Sequence, residues 1–153
     1  MAPLVTAIRE PQRGGSQAFV SDLARGLTGR GHDVHVYAAS GSDIPGVEVI
    51  DTGVDPESLA GTLYRAFGQS GPAGSRPAGP EPSAAESAFA RAYRGVQEIR
   101  YDVIHNHAFD APAIRLAAAL QAPVVHTLHL PPDKAVAAAL RHAARGGRPP
   151  AVA

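Results

Sequence analysis

The chain has 153 residues, no cysteine, and 14 acidic residues against 14 basic ones. That length accommodates one domain with a real core and is short for two. The balanced charge gives no field toward nucleic acid and no indication of peripheral membrane contact; the missing cysteine excludes disulfides and thiolate metal sites, and no apolar run approaches the roughly 20 residues of a membrane span.

Taken in chain order, helical and strand patterns alternate. Residues 16–30 carry Phe19, Val20, Leu23, Ala24 and Leu27 on one helical face, with Ser16 as the expected N-cap. Gly29 and Gly31 suit the helix exit, and residues 32–38 and 47–51 read as strands. Residues 56–67 and 84–100 read as helices. Between them, residues 68–83 hold no large apolar side chain and read as a disordered surface loop. Residues 102–107 read as a strand, 111–121 as a helix, 124–128 as a strand and 133–145 as a helix. The Gly-Arg-Pro tail at 146–150 is a second breaker. This alternation predicts an α/β domain with a Rossmann-like, doubly wound parallel sheet covered on both faces.

Both ends read as cut. Only Met1–Val5 precede the first glycine loop, which is short for a central strand, and Pro150–Ala153 resembles the beginning of another strand. A sheet without its first strand exposes unpaired edges and apolar helix faces, so marginal stability or self-association is expected. The N-terminus has no basic region followed by an apolar one, which with the absence of cysteine predicts a cytoplasmic setting.

Two features carry candidate chemistry. Gly14 and Gly15 immediately precede the first amphipathic helix, whose N-terminus offers unpaired N–H groups and a positive dipole end; Arg13 adds a cation. A phosphate or diphosphate suits that position, and so does a plain tight turn. No Gly-Lys-Ser/Thr follows, and the third glycine of a dinucleotide fingerprint is missing. The second feature is a pair of strands that end in histidines. His105 and His107, two apart, share a strand face, while His129 falls beyond the end of its strand and His126 inside it. Structural roles bonded to backbone suit His105 and His126. A metal site completed by Asp110 and Asp133, or a polar-substrate site built on His107 and His129, are the alternatives. His32, His35 and His142 read as surface or strand-edge residues.

Four segments, in order, resemble the N-terminal domain of family 4 glycosyltransferases, retaining enzymes of GT-B architecture. They are Arg13-Gly-Gly-Ser-Gln17; Leu23-Ala-Arg-Gly-Leu27 with Arg30-Gly-His-Asp-Val34; Tyr101-Asp-Val-Ile-His-Asn-His107; and Ala122-Pro-Val-Val-His-Thr-Leu-His129. The resemblance implies that residues 1–153 form the acceptor-side domain, the N-terminal half of a GT-B architecture, truncated at both ends. It implies a nucleotide-sugar donor, a hydroxyl acceptor, and no metal or other cofactor. His107 would be the catalytic residue, with Gly14, Gly15, Arg13 and His129 binding substrate. The nucleotide-binding C-terminal domain would be supplied in cis or by a separate subunit, so transfer by this chain alone is not expected. A non-catalytic sugar- or phosphate-binding accessory domain, and a metal-dependent hydrolase on the histidine cluster, are the competing classes.

Overall fold

The computed structural model describes residues 1–59, 83–145 and 151–152. In chain order the elements are α1 (Gly15–Thr28), β1 (His35–Ala38), β2 (Glu48–Asp51), α2 (Pro56–Leu59), α3 (Ala84–Gln97), β3 (Ile104–Asn106), α4 (Ala111–Ala117), β4 (Val124–His126), α5 (Lys134–Arg145) and β5 (Ala151–Val152). Every expected strand is found, shorter than its apolar run. The expected loop at 68–82, the continuation of α2 over 60–67 and the tail at 146–150 lie outside the described residues. Ser83, expected to close that loop, instead caps α3. Its Oγ accepts from the Glu86 N–H and the Glu86 carboxylate accepts from the Ser83 N–H, a reciprocal capping box.

Local chemistry sets the other boundaries. α1 opens on an extended Gly14 N-cap with no side-chain capping bond, so Ser16 sits inside the helix rather than capping it. The helix closes where Gly31 takes a left-handed conformation at φ 87°. There the Gly31 and His32 N–H groups return to the carbonyls of Thr28 and Leu27. That turn delays the strand, which begins at His35 instead of His32.

All strand pairings are parallel, but the expected single doubly wound sheet is present as two pieces, β1–β2 and β3–β4–β5. Among the described residues, Met1 and Ala2 carry the backbone bonds between them. The Ala2 N–H donates to the Tyr37 carbonyl at 2.9 Å, the Met1 amine to the His105 carbonyl at 2.8 Å, and the His107 N–H to the Met1 carbonyl at 2.9 Å. Two residues of backbone are too short to form a ladder, which leaves two sheets instead of one.

Helices cover both faces of β1, as strand alternation requires. Val36 and Ala38 pack with Val20 and Ala24 of α1, together with Ile8 and Ile44. Tyr37, pointing the other way, joins Phe89, Ala92, Tyr93 and Val96 of α3, and Leu4. Ile114, Val136 and Ala139 fasten α4 to α5 beside the β3–β4–β5 sheet.

Candidate functional site

The parallel register sets Asn106 beside His126, so β3 and β4 end together and their trailing histidines meet. His105 and His107 share a face, with ring centroids 4.0 Å apart. The chain after β4 brings His129 back over them. Its Nε2 lies 3.2 Å from His107 Nδ1, and the two rings are stacked at 5.3 Å. One nitrogen of that pair carries the proton and the other accepts it. Phe19, one turn into α1, packs on both rings at 5.6 Å and 5.5 Å.

Behind this layer stands a satisfied polar anchor. Asn106, fully buried, donates from Nδ2 to the Ala108 carbonyl at 3.0 Å and to His126 Nδ1 at 2.8 Å, while its Oδ1 accepts from the Ala108 N–H. The Asn106 N–H requires a neutral acceptor nitrogen, so His126 carries its proton on Nε2. His105 Nε2 lies 2.7 Å from Thr127 Oγ1. His105 and His126 are thus held by side chains, not by the backbone bonds expected for them.

The cluster is built to stay uncharged. Burial, followed by repulsion from His105, the N-terminal amine and His129, pushes the His107 pKa down to about 3. Burial and then His105 push His126 to about 4. His105 and His129 are lowered as well, each first by burial. Burial and Asp133 raise the Asp110 carboxyl to about 7, and its Oδ2 has no hydrogen-bond partner. At neutral pH the site therefore presents donors and acceptors rather than cations.

The helix end beside it has no side-chain cap. Gly14 has an extended backbone open to any residue, and Gly15 is an ordinary helical residue, so neither needs glycine for its conformation. Gly14 does have a close neighbour, since a Cβ there would stand 2.8 Å from Gln17 Oε1. A Cβ at Gly15 would meet nothing within 4 Å. The first turn holds no acidic residue, and its leading N–H groups have no capping side chain. Arg13, with no ion pair among the described residues, lines a cavity of about 420 Å³ with Arg9, Gln17, Ser40, Asp55 and Glu57.

His107 and His129 are therefore brought together, and Phe19 links them to the helix that starts at Gly15. Arg13 faces the neighbouring cavity. His107 is only 3% exposed, so an incoming molecule meets His129 and Phe19 before it. Phe19, expected in the core face of α1, is 47% exposed and packs on the His107 and His129 rings instead. Its helical period gave no sign of this role. Asp110 and Asp133 do not complete a metal set: among the described residues no group of three or more His, Asp or Glu side chains is arranged to hold a metal ion. His35, expected at a strand edge, is half-buried, with Nδ1 2.7 Å from the Tyr101 hydroxyl. A profile described as Glycosyltransferase Family 4 matches residues 13–151, from the Arg13-Gly-Gly loop through β5. The chain belongs to that family. No curated protein matches the sequence. The family match spans both glycines and all four clustered histidines. Among the described residues no helix is long and apolar enough to cross a membrane.

Proposed function

We propose that this family 4 domain forms the acceptor-side wall of a retaining, nucleotide-sugar-dependent glycosyltransferase. The observation that carries the reading is the juxtaposition of a neutral His107–His129 pair with a helix N-terminus that no side chain caps. The donor diphosphate lies against the N–H groups of Gly15, Ser16 and Gln17, where the helix dipole favours negative charge. The transferred sugar and the acceptor hydroxyl lie against His129, with His107 bonded behind it and reached when Phe19 rotates aside. Catalysis is then positioning together with stabilisation of the departing phosphate. The facing wall, a nucleotide-binding domain in cis or on a separate subunit, completes the cleft in a doubly wound GT-B arrangement.

Titration of uridine diphosphate, observed through the backbone amides, tests this. Shifts at Gly15, Ser16 and Gln17 that disappear in Gly15→Val are expected, and unmoved amides at millimolar ligand overturn the donor placement. Sugar transfer by the 153-residue chain alone would overturn its assignment as one wall only.

A further inference from the structure

The cavity that Arg13 faces has a chemistry of its own. It holds about 420 Å³ and lies where β1 and β2 end, bounded by residues of the 5–13 loop, by Ser40, and by Asp55, Pro56 and Glu57 at the opening of α2. Ligands of parallel sheets sit beyond the carboxyl ends of the strands, and that volume suits one small polar molecule.

One wall carries donors without partners. Among the described residues the arginines that form ion pairs are Arg25 and Arg115, with Asp22 and Glu86; Arg9 and Arg13 form none. Glu10, the acid nearest them in sequence, is turned to Gln12 Nε2 at 3.3 Å. Gln17 also lines the cavity and is only 7% exposed. Its Oε1 accepts from Ser16 Oγ at 3.1 Å, while its Nε2 has no hydrogen-bond partner among the described residues. A buried amide with idle N–H bonds costs free energy until something accepts them. The opposite wall carries acids that have local work. Asp55 Oδ1 accepts the Glu57 N–H at 3.0 Å, and Glu57 lies in the first turn of α2, where the helix dipole favours a carboxylate. The two guanidiniums and the Gln17 amide have no such role among the described residues.

We propose that this cavity seats the phosphate of a phosphorylated acceptor sugar. Arg9, Arg13 and Gln17 Nε2 hold the phosphate oxygens, and Ser40, Asp55 and Glu57 face the hydroxyls. This rests on the reading of the domain as an acceptor-side wall and gives that acceptor an anionic class. A phosphate monoester carries about two negative charges at neutral pH and offers several acceptor oxygens, which matches two guanidinium forks and one amide. A carboxylate brings a single charge and leaves one arginine unmatched, and an uncharged sugar leaves both. Carboxylates opposite can only accept, so they suit sugar hydroxyls and orient the ring. Gln17 joins the two subsites, with its backbone N–H at the helix end assigned to the donor and its side chain at this cavity.

Glucose 6-phosphate, glucose and inorganic phosphate, each titrated onto the full chain beside a parallel series with uridine diphosphate, test this. The observed signals are the Arg9 and Arg13 side-chain Nε–H groups and the Gln17 side-chain amide. Glucose 6-phosphate is expected to shift all three and glucose none, with inorganic phosphate bound about tenfold more weakly. Arg9 is exposed, so Arg9→Gln keeps the fold, and it is expected to weaken glucose 6-phosphate by about tenfold through loss of a charge-assisted bond. Unmoved side chains at millimolar glucose 6-phosphate overturn the proposal, as does an Arg9→Gln variant that binds it as tightly as the parent. Inorganic phosphate bound as tightly as glucose 6-phosphate makes the cavity a plain anion site and overturns it too. Shifts from uridine diphosphate alone overturn this proposal and leave the donor placement standing. Shifts from glucose 6-phosphate alone uphold it and overturn the donor placement.

Discussion

The two ends of β3 contrast sharply. Downstream, Asn106 bonds His126 and His105 bonds Thr127, two side-chain pairs on neighbouring strands, and His107 and His129 stack beside them. Upstream, Val103 borders an open groove, and besides the two residues of backbone at Met1 and Ala2 the neighbouring sheet is reached by the Tyr101 hydroxyl, which lies against His35 Nδ1 and the Tyr37 hydroxyl. One strand thus runs from a bonded polar anchor to an open groove. The lesson is that the histidine cluster does not depend on the sheet being continuous; its geometry comes from β3, β4 and the loops that follow them.

The strongest way to break that contrast is to open the closed end. Asn106→Ala strands the His126 Nδ1, the Ala108 N–H and the Ala108 carbonyl in a dry interior. Unsatisfied buried groups cost about 1–3 kcal/mol each, so a loss of about 4 kcal/mol is expected from urea unfolding. If the loss is below about 1 kcal/mol, comparable with a surface substitution, the anchor is not what holds the two strand ends together.

Next comes the open end. The Met1 amine is held well below its ordinary value, so the unfolded chain binds its proton more readily between about pH 5 and pH 8. Stability from this group is therefore present above pH 8 and falls as the pH drops toward 5. His107 and His126, lowered to about 3 and 4, add to the same acid loss as the pH falls through 6.5. Nα-acetylation replaces the amine with a peptide N–H that donates to His105 without titrating. It is expected to remove roughly 3 kcal/mol of the fall between pH 8 and 5, leaving the histidine part. An unchanged pH profile of unfolding after acetylation would show that the amine is solvated.

Much of this was legible in the sequence, and the misses have physical causes. Period-2 spacing set His105 and His107 on one face, and alternating patterns located each element. Boundaries run long where the strand pattern continues past the ladder: Asp102 and Val103 read as part of β3, yet among the described residues the pairing with β4 begins at Ile104. Ser16 looked like a cap because capping propensity is local, while the actual N-cap, Gly14, has no side chain with which to signal. The His107–His129 bond joins residues 22 apart and depends on how the loop after β4 returns, which no spacing encodes. Phe19 carries a core signature, yet its ring packs on His107 and His129, contacts that helical period does not encode. Asn106, flanked by two histidines, carries no spacing or propensity signal of its role, although its side chain makes three hydrogen bonds in the interior.

A smaller effect separates the anchor from its rim. Asp110 is 5% exposed, carries an unpartnered Oδ2 and faces Asp133, with its carboxyl raised to about 7. Here the sign is opposite to that of the imidazoles. The folded chain holds the proton more tightly between about pH 4 and 7, so stability is lost as the pH rises through that window. Asp110→Asn is expected to stabilise the protein by about 1–2 kcal/mol at pH 8, with the gain vanishing near pH 4. A variant that is equally stabilised at both pH values has acted through packing rather than charge.

The smallest effect on stability is the most informative about the helix end. At Gly15 the backbone is ordinary helix and a Cβ meets nothing within 4 Å, so the folded chain gains from alanine's better helix propensity. Gly15→Ala should raise stability by about 0.5–1 kcal/mol in urea titrations. Gly15→Val adds bulk over the same N–H groups at a helix propensity close to that of other ordinary residues. If glycine stands here to let a diphosphate reach those groups, the bulkier side chain weakens uridine diphosphate binding while stability stays near the starting value. Stability and binding that fall together in both variants would instead return Gly15 to a purely structural role, because only a backbone that needs glycine loses both at once.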